Sequence, residues 1–464
     1  MSERWKAVHF VGVGGSGMSP LAEILIRRGT QVSGSDVKAS AVTAYLESLG
    51  LEFHEGHAAA HVGAVDVVVR SSAVRPSNPE IEEAGRRDIP VILRGALLAE
   101  LMASRQGVAV AGAHGKTTTT AMLGLVLDRA GLDPTVVIGG RFAAFGSHAR
   151  VGRSALLIAE ADESDRSFLW LRPHVAIVTN IDREHLESYG TFDDLKGAFA
   201  RFADSVPNDG AAILCVDDPH VKVLAETITA PVVSYGIDND RATIGATDVT
   251  IVGYGSKATV VHRAADGRDS VLGTLALQVP GPHNILNALA VVAAATYLGV
   301  SFAAIAAALV EFRGAERRFE RKGESSGRVL VDDYGHHPTE IAAVLRAARA
   351  TGVRRILCVF QPHRYSRTAQ LLHDFGPALA LADEIVLTDI YPAGEDPIPG
   401  VTIDALADEM KKAVAGPVHV VARLDDVPAA VARWSRPGDM VITLGAGSIG
   451  AIGDRILEEV RACR

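Results

Sequence analysis

Cysteine is scarce in this chain of 464 residues. The three cysteines, Cys215, Cys358 and Cys463, are scattered, so their spacing excludes a disulfide framework and a zinc site of paired cysteines. Positive charge is also in deficit, because 46 lysines and arginines stand against 55 aspartates and glutamates and leave a net charge of −9. This balance argues against a general nucleic-acid-binding surface. Anionic substrates would need local positive sites, and a reducing cytoplasm fits the cysteine usage.

The sequence also predicts neither a signal peptide nor a membrane span. Residues Met1–Lys6 lack the basic-then-apolar layout of a secretory signal. The stretch Ala288–Val310 is uncharged and long enough to cross a bilayer, but alanine dominates it. Gly299 and Ser301 supply a helix stop and a new N-cap in its middle. We therefore expect two packed helices there and a cytoplasmic protein without membrane insertion.

A glycine-rich turn between a strand and a helix is the most informative segment. Residues 107–120 read Gly-Val-Ala-Val-Ala-Gly-Ala-His-Gly-Lys-Thr-Thr-Thr-Thr. Backbone N–H groups at such a helix N-terminus bind phosphates, the lysine reaches the outer phosphates, and the first threonine can hold Mg²⁺. The turn is compressed, because Val110 stands where the general pattern has glycine. The predicted ATP-binding residues here are Gly112, Ala113, His114, Gly115, Lys116, Thr117 and Thr118.

Residues 6–35 form a predicted β-α-β unit with a second glycine motif. The strand Val8–Val11 leads into residues 12–17, Gly-Val-Gly-Gly-Ser-Gly, and an acid follows the second strand. Glycines let the backbone approach a diphosphate, and the acid suits ribose hydroxyls. A dinucleotide and a UDP-sugar both fit this pattern, but the phosphate loop downstream favours the UDP-sugar. The predicted contacts are Gly14, Gly15, Ser16, Gly17, Asp36, Ser71 and Arg94.

Two acidic segments follow strands of the predicted central sheet. Glu160 begins the run Glu-Ala-Asp-Glu-Ser-Asp, and His185 ends the run Asn-Ile-Asp-Arg-Glu-His. Because ligands of open α/β sheets bind at the carboxyl ends of the strands, both segments should face the phosphate loop. A hard metal ion between phosphates and carboxylates is the expected partner. The histidines His54, His57 and His61 are expected instead to lie in a solvated surface loop.

These motifs resemble the Mur ligases, the ATP-dependent amide-forming enzymes of peptidoglycan synthesis, over nearly the whole chain. The length alone predicts about three domains. We assign an N-terminal Rossmann-like UDP-sugar domain to 1–105, a central P-loop ATPase-like domain with a parallel or mixed sheet to 106–313, and a C-terminal Rossmann-like α/β amino-acid domain to 314–464. The resemblance implies that Thr117, Glu160 and His185 hold Mg²⁺ ions, and that Lys116, Glu160 and His185 are catalytic.

Further nucleotide contacts are expected at the end of the central domain. Asn284 lies in the first turn of the alanine-rich helix, where an amide side chain can cap the helix. In Mur ligases this motif lies beside the bound nucleotide, so the resemblance implies both roles. Arg317 stands beside a glycine in the hinge Glu311–Phe319 and could reach the phosphates when the domains close.

Two segments rich in histidine and arginine follow strands of the third domain. Residues 332–340 read Asp-Asp-Tyr-Gly-His-His-Pro-Thr-Glu, and residues 361–368 read Gln-Pro-His-Arg-Tyr-Ser-Arg-Thr. Arginine pairs bind carboxylates through bidentate forks. Here the resemblance narrows to the Mur ligases that add L-alanine. It implies an amino-acid site formed by Tyr334, His336, Arg364 and Arg367.

The implied reaction joins L-alanine to the lactyl carboxylate of UDP-N-acetylmuramate, with ATP as co-substrate. Transfer of the γ-phosphoryl group would turn the carboxylate into an acyl phosphate that the amine can attack. Three alternatives stay open. A relative in the family would attach a preformed peptide to the same UDP-sugar during cell-wall recycling. The first glycine motif alone would suit a nicotinamide dehydrogenase, and an ATP-gated regulatory protein would bind nucleotide without ligating anything.

Overall fold

Three α/β sheets with flanking helices make up the chain, as the sequence predicts. The structure, a computed structural model, describes residues 4–142, 144–264 and 268–462. Cys463 lies outside these ranges, whereas Cys215 and Cys358 are buried free thiols. Among the helices of the described ranges, none combines the length and the apolar character that a membrane crossing requires.

The N-terminal sheet is entirely parallel. Its strands are β1 (Ala7–Val11), β2 (Gln31–Asp36), β3 (Glu52–Glu55), β4 (Val67–Arg70) and β5 (Val91–Leu93), and its helices are α1 (Ser19–Arg27), α2 (Ala41–Leu49), α3 (Pro79–Arg86) and α4 (Arg94–Ala103). The strand order β3-β2-β1-β4-β5 puts the glycine motif at the carboxyl end of the middle strand. That edge is where doubly wound sheets bind their ligands.

The central sheet is mixed. Its strands are β6 (Gln106–Ala111), β7 (Thr135–Phe142), β8 (Ser147–Arg150), β9 (Leu156–Glu160), β10 (Val175–Val178), β11 (Ala211–Cys215), β12 (Val232–Gly236), β13 (Ile244–Val252), β14 (Gly255–Arg263) and β15 (Asp269–Leu277). Their order is β15-β14-β13-β12-β11-β10-β6-β9-β7-β8. Strand β6 pairs in parallel with β9 and with β10, while β7 and β8 are antiparallel. The carboxyl ends of β9, β6 and β10 therefore meet at one edge.

The helices of the central region include the two that the sequence predicts in the uncharged run. They are α5 (Lys116–Arg129), α6 (Leu186–Tyr189), α7 (Phe192–Ala203), α8 (Pro219–Thr227), α9 (Pro282–Tyr297) and α10 (Phe302–Leu309). Gly299, with φ +87°, lies in the turn between α9 and α10. Its left-handed backbone conformation ends the first helix, as expected for glycine at a helix C-terminus.

The C-terminal sheet has the order β16-β17-β21-β18-β19-β20, and only β16 is antiparallel to its neighbour. The strands are β16 (Glu320–Ser325), β17 (Arg328–Asp333), β18 (Arg355–Phe360), β19 (Glu384–Leu387), β20 (Val418–Val420) and β21 (Asp439–Leu444). The helices are α11 (Pro338–Ala350), α12 (Tyr365–Gln370), α13 (Phe375–Leu379), α14 (Ile403–Met410), α15 (Val427–Trp434) and α16 (Gly453–Ala462). The two segments rich in histidine and arginine follow β17 and β18, on either side of β21.

The chain forms two compact units. The first comprises Met1–Thr247, Thr259–Thr274 and Leu286–Leu309, and the second comprises Asp248–Ala258, Leu275–Ile285 and Val310–Arg464. The boundaries of the three domains, at 105/106 and 313/314, stay predictions.

Candidate active site

The phosphate loop between β6 and α5 is held in place by the residues that follow β10. Asn180 accepts the N–H of His114 at 2.8 Å and donates its amide to the His114 carbonyl at 3.0 Å. The hydroxyl of Thr179 donates to the same carbonyl at 2.6 Å. A Cβ at Gly112, whose φ is +138°, would lie 2.0 Å from Thr179 Oγ1, so only glycine fits there. These contacts fix the shape of the loop.

Lys116 is the first residue of α5, and its ammonium points back into the loop. It donates to the carbonyls of Gly112 at 2.5 Å and Ala113 at 3.2 Å, and to Glu163 Oε1 at 2.8 Å. The side chain of Glu163 is 3% exposed, and its Oε2 is buried without a hydrogen-bond partner. Burial raises the pKa of Glu163 to about 7, against the opposing charge of Lys116. Burial is the largest single effect on the pKa of Lys116 and lowers it, but the charge and hydrogen bond of Glu163 and the charges of Asp162 and Glu184 together raise that pKa by more, so the ammonium stays charged.

Glu160 and Thr117 form the first of two predicted metal positions. Glu160 ends β9, where its Oε1 accepts the N–H of Gly139 at 2.6 Å. The hydroxyl of Thr117 lies 3.3 Å from Glu160 Oε2. A hydroxyl and a carboxylate beside a phosphate loop are the oxygen ligands that Mg²⁺ prefers. The two residues therefore fit the metal ion predicted here.

His185, the third predicted metal ligand, lies among carboxylates that are not among the predicted ligands. Its Nε2 is 3.6 Å from Glu184 Oε2 and 4.0 Å from Glu163 Oε1. One ligand atom from each of these three residues lies within 4.8 Å of the others, and both glutamates are buried. Such a set can hold a metal ion. Glu163 and Glu184 stand in the acidic runs already noted, but nothing in the spacing of those runs separates them from their neighbours.

Two of the other predicted UDP-sugar residues contact the glycine motif of the N-terminal sheet. Asp36, at the end of β2, accepts the N–H of Gly14 at 2.8 Å. A Cβ at Gly17 would lie 2.6 Å from Arg94 Nη1, so glycine makes room for the guanidinium. Arg94 in turn forms an ion pair with Asp162 at 2.8 Å, in the acidic run that follows β9. The predicted UDP-sugar residues are thereby joined to the central sheet.

A cavity of about 350 Å³ lies between the glycine motif and the phosphate loop. Its walls combine residues predicted for both substrates: Gly15, Ser16, Gly17, Ser71 and Arg94 on one side, and Lys116 and Glu160 on the other. Gly14 and Asp36 are not among the residues that line it. The structure thus brings five of the predicted UDP-sugar residues to the lysine and the carboxylate predicted for catalysis.

The predicted amino-acid residues cluster in the second unit around a histidine that was not assigned. The ring of His336 lies 5.5 Å from that of Tyr334 and 5.6 Å from that of His363. Arg367 Nη1 is 3.3 Å from His363 Nδ1, and Arg364 is the residue directly before α12, three positions before Arg367. Burial, His336 and the two arginines lower the pKa of His363 to about 3. Positive charge from the two arginines and His336 therefore lies beside His363, which favours a bound carboxylate.

The two remaining residues predicted to contact ATP form hydrogen bonds within the second unit. Asn284 donates to the carbonyl of Pro280 at 2.8 Å, a local contact in the first turn of α9. Arg317 Nε donates to Asp332 at 3.0 Å, and Arg317 Nη2 donates to the Gly445 carbonyl. Their roles in nucleotide binding stay predictions.

A further asparagine contacts the phosphate loop within the first unit. The hydroxyl of Thr119 donates to Asn287 Oδ1 at 3.3 Å, and a Cβ at Gly115 would lie 2.6 Å from the same oxygen. Gly115 has φ +85°, so the loop turns sharply there against Asn287. This residue stands one helical turn after Asn284, and helical periodicity alone could have drawn attention to it.

Three family models match the chain in succession. The Mur ligase family catalytic-domain model matches residues 7–106, the Mur ligase middle-domain model matches 110–295, and the Mur ligase glutamate ligase domain model matches 317–447. Together they span most of the three sheets.

Known proteins resemble the chain over its full length. A UDP-N-acetylmuramate–L-alanine ligase of Geobacter sp. (strain M21) is 46% identical over 98% of both chains, and one of Anaeromyxobacter sp. (strain Fw109-5) is 49% identical over 97% of both. The crystal structure of UDP-N-acetylmuramate-alanine ligase from Thermotoga maritima matches with a TM-score of 0.83 at 30% identity, covering 99% of this chain and 100% of that one. A murein peptide ligase from Psychrobacter arcticus matches with a TM-score of 0.72 at 25% identity, covering 98% and 99%. On these matches, the chain belongs to the Mur ligase family.

Proposed function

We propose that this protein is an ATP-dependent ligase that joins L-alanine to the lactyl carboxylate of UDP-N-acetylmuramate, releasing ADP and phosphate. The observation that carries the proposal is the shared cavity of about 350 Å³. A diphosphate-binding glycine motif and a phosphate-loop lysine line one space, as an enzyme that phosphorylates the end of a UDP-sugar requires. A dehydrogenase has no use for the phosphate loop, and a regulatory protein needs no such junction.

The phosphoryl-transfer step depends mainly on charge and position. Lys116 would exchange Glu163 and the loop carbonyls for the outer phosphates of ATP, keeping its charge beside the oxygens that gain electron density. Thr117, Glu160 and His185 would hold Mg²⁺, which neutralises phosphate charge when bound. The lactyl carboxylate attacks the γ-phosphorus, the bond to the β–γ bridging oxygen breaks, and ADP leaves. No nucleophilic side chain is needed.

The second step requires an amine held by its carboxylate. The positive cluster of His336, Arg364 and Arg367 suits the carboxylate of a small amino acid. The free amine of L-alanine attacks the carbonyl carbon of the acyl phosphate, and the tetrahedral intermediate releases a proton from nitrogen and loses phosphate to give the amide. We propose the cytoplasm as the place of reaction, because ATP and UDP-sugars are made there and the free thiols fit a reducing compartment.

A substrate panel tests this proposal. Purified protein with ATP, Mg²⁺ and UDP-N-acetylmuramate should release phosphate when L-alanine is added, and mass spectrometry should show the alanyl product. Glycine and L-serine should react poorly but measurably, because a pocket sized for a methyl group separates such analogues by only about 1–3 kcal/mol. The control is the same mixture without UDP-sugar. Preference for a tripeptide over L-alanine would refute the assignment and favour the recycling ligase.

A further inference from the structure

A fully buried carboxylate, Glu80, lies beside the strand that supports the glycine motif. It stands in the first turn of α3, and its side chain is 0% exposed. Its Oε2 accepts the hydroxyl of Ser35 at 2.6 Å, and its Oε1 lies 3.0 Å from His61 Nδ1 and 3.3 Å from the N–H of Ala58. The proposed mechanism does not use this group.

Four histidines surround this carboxylate, and this overturns the expectation of a solvated loop. His9, on β1, is fully buried with Nε2 3.4 Å from Glu80 Oε2. His57 Nδ1 lies 3.6 Å from the same oxygen and 3.0 Å from Ser35 Oγ. His54 stacks on His61, with ring centroids 4.6 Å apart. Spacing along the chain could not reveal this cluster, because its centre is contributed by α3.

The cluster keeps Glu80 ionised. Burial would raise the pKa of the carboxyl, but hydrogen bonds from His9, Ser35 and His61 lower it to about 2. Desolvating a carboxylate is costly, and well-packed apolar residues usually stabilise a core at least as well as a buried charged network does. Stability alone therefore does not require a charged group at this place, and the contacts of Glu80 indicate which atoms it positions.

Ser35, whose hydroxyl donates to Glu80, also binds the backbone of the glycine motif. The carbonyl of Ser35 accepts the N–H of Gly12 at 2.8 Å and that of Val13 at 2.9 Å. The next residue, Asp36, accepts the N–H of Gly14 at 2.8 Å. Two adjacent residues at the end of β2 thus hold three successive amides of the loop. A shift of Ser35 would move the loop that lines the cavity.

We propose that Glu80 is a positioning residue for the UDP-sugar: through Ser35 it fixes the glycine loop in the conformation that binds the diphosphate and the ribose. This inference rests on the proposed function, because it takes the glycine loop to be the UDP-sugar site. It assigns Glu80 no contact with substrate. Its effect should therefore fall on UDP-sugar affinity and leave the phosphate loop, which is held by Thr179 and Asn180, unchanged.

The test compares Glu80→Gln with Glu82→Gln, a control at an exposed position of the same helix. Calorimetry measures the Kd of UDP-N-acetylmuramate and, separately, of ATP–Mg²⁺, and thermal unfolding reports stability. Loss of a hydrogen-bonded charge typically weakens an interaction by about 1.5 kcal/mol or more, so Glu80→Gln should raise the Kd of the UDP-sugar about tenfold or more. The Kd of ATP should stay within about twofold, and the control should match the wild type.

A second variant keeps the test decisive if Glu80→Gln does not fold. Ser35→Ala removes the hydroxyl and keeps the backbone carbonyl, and it should also raise the UDP-sugar Kd without changing that of ATP. Equal losses for both ligands, or reduced thermal stability with unchanged UDP-sugar affinity, would overturn the positioning role. Failure of the wild-type protein to bind UDP-N-acetylmuramate would instead refute the proposed function, so the two failures are distinguishable.

Discussion

Replacing Lys116 with methionine separates the catalytic role of the lysine from its structural role. The ammonium is the charged partner of Glu163, whose side chain is 3% exposed. Without it, the buried carboxylate must take up a proton, as its pKa of about 7 already favours. Holding a carboxyl with an ordinary pKa of 4.5 protonated at pH 7 costs about 3 kcal/mol. The double variant Lys116→Met/Glu163→Gln carries no such group.

The single variant should therefore be less stable than the double variant by about 3 kcal/mol at pH 7. The folded-state pKa of Glu163 is raised, so the penalty is absent below the unfolded pKa and grows as the pH rises above it. The gap should shrink by about 1.4 kcal/mol for each unit of pH between 7 and 4.5. Urea unfolding without Mg²⁺ at several pH values measures this gap.

Activity should behave differently from stability. Both variants lack the ammonium beside the transferred phosphoryl group, so both should lose more than about a hundredfold in turnover. Phosphate release measures that loss, and UDP-sugar binding should be unchanged in the double variant. Retention of a tenth of normal turnover by either folded variant would refute the role of Lys116. Equal stability of the two variants at every pH would refute the buried ion pair.

The metal ligands, the amino-acid cluster and the Glu80 network can each be tested by substitution. Glu160→Ala and His185→Ala should each raise the Mg²⁺ concentration needed for turnover, and an unchanged Mg²⁺ titration in His185→Ala would leave that histidine a structural residue. Arg367→Lys keeps the charge but loses the fork, so the KM for L-alanine should rise about tenfold or more with little change for ATP, and equal rises would contradict the amino-acid site. Because the folded pKa of Glu80 is depressed to about 2, its stabilisation of about 3 kcal/mol is complete above pH 4.5 and is lost as the pH falls towards 2. Glu80→Gln should remove that part of the acid-unfolding slope, and an identical slope would count against the assigned ionisation.

The predictable parts of this protein are those in which chain order determines placement. A glycine turn between a strand and a helix must lie at the carboxyl edge of its sheet, so the positions of Lys116 and Glu160 follow from the local pattern. The three sheets follow for the same reason. Contacts with residues from distant segments cannot be predicted from the local pattern. Asn180 holds the phosphate loop across a separation of 66 residues, and no local pattern distinguishes it from an ordinary loop asparagine.

Burial is the other property that the sequence leaves open. Glu163 is one of four acids in six residues, and a turn of that composition is usually solvated. Its depth in the fold, rather than its residue type, makes it the partner of Lys116. In the same way, the sequence indicates a surface loop for the three histidines near β3, because their buried partner, Glu80, comes from a different element, α3.

The side chains that hold the phosphate loop also affect the energetics of nucleotide binding. With Thr179 and Asn180 already bonded to the backbone of His114, the loop has little conformational entropy left to lose when ATP arrives. Ordering a mobile segment would subtract from affinity, and that subtraction is largely avoided here. The heat and the temperature dependence of ATP binding should consequently reflect contacts with the phosphates rather than folding of the loop. Weakening the contacts that hold the loop, for example by Asn180→Ala, would add an ordering step to every catalytic cycle.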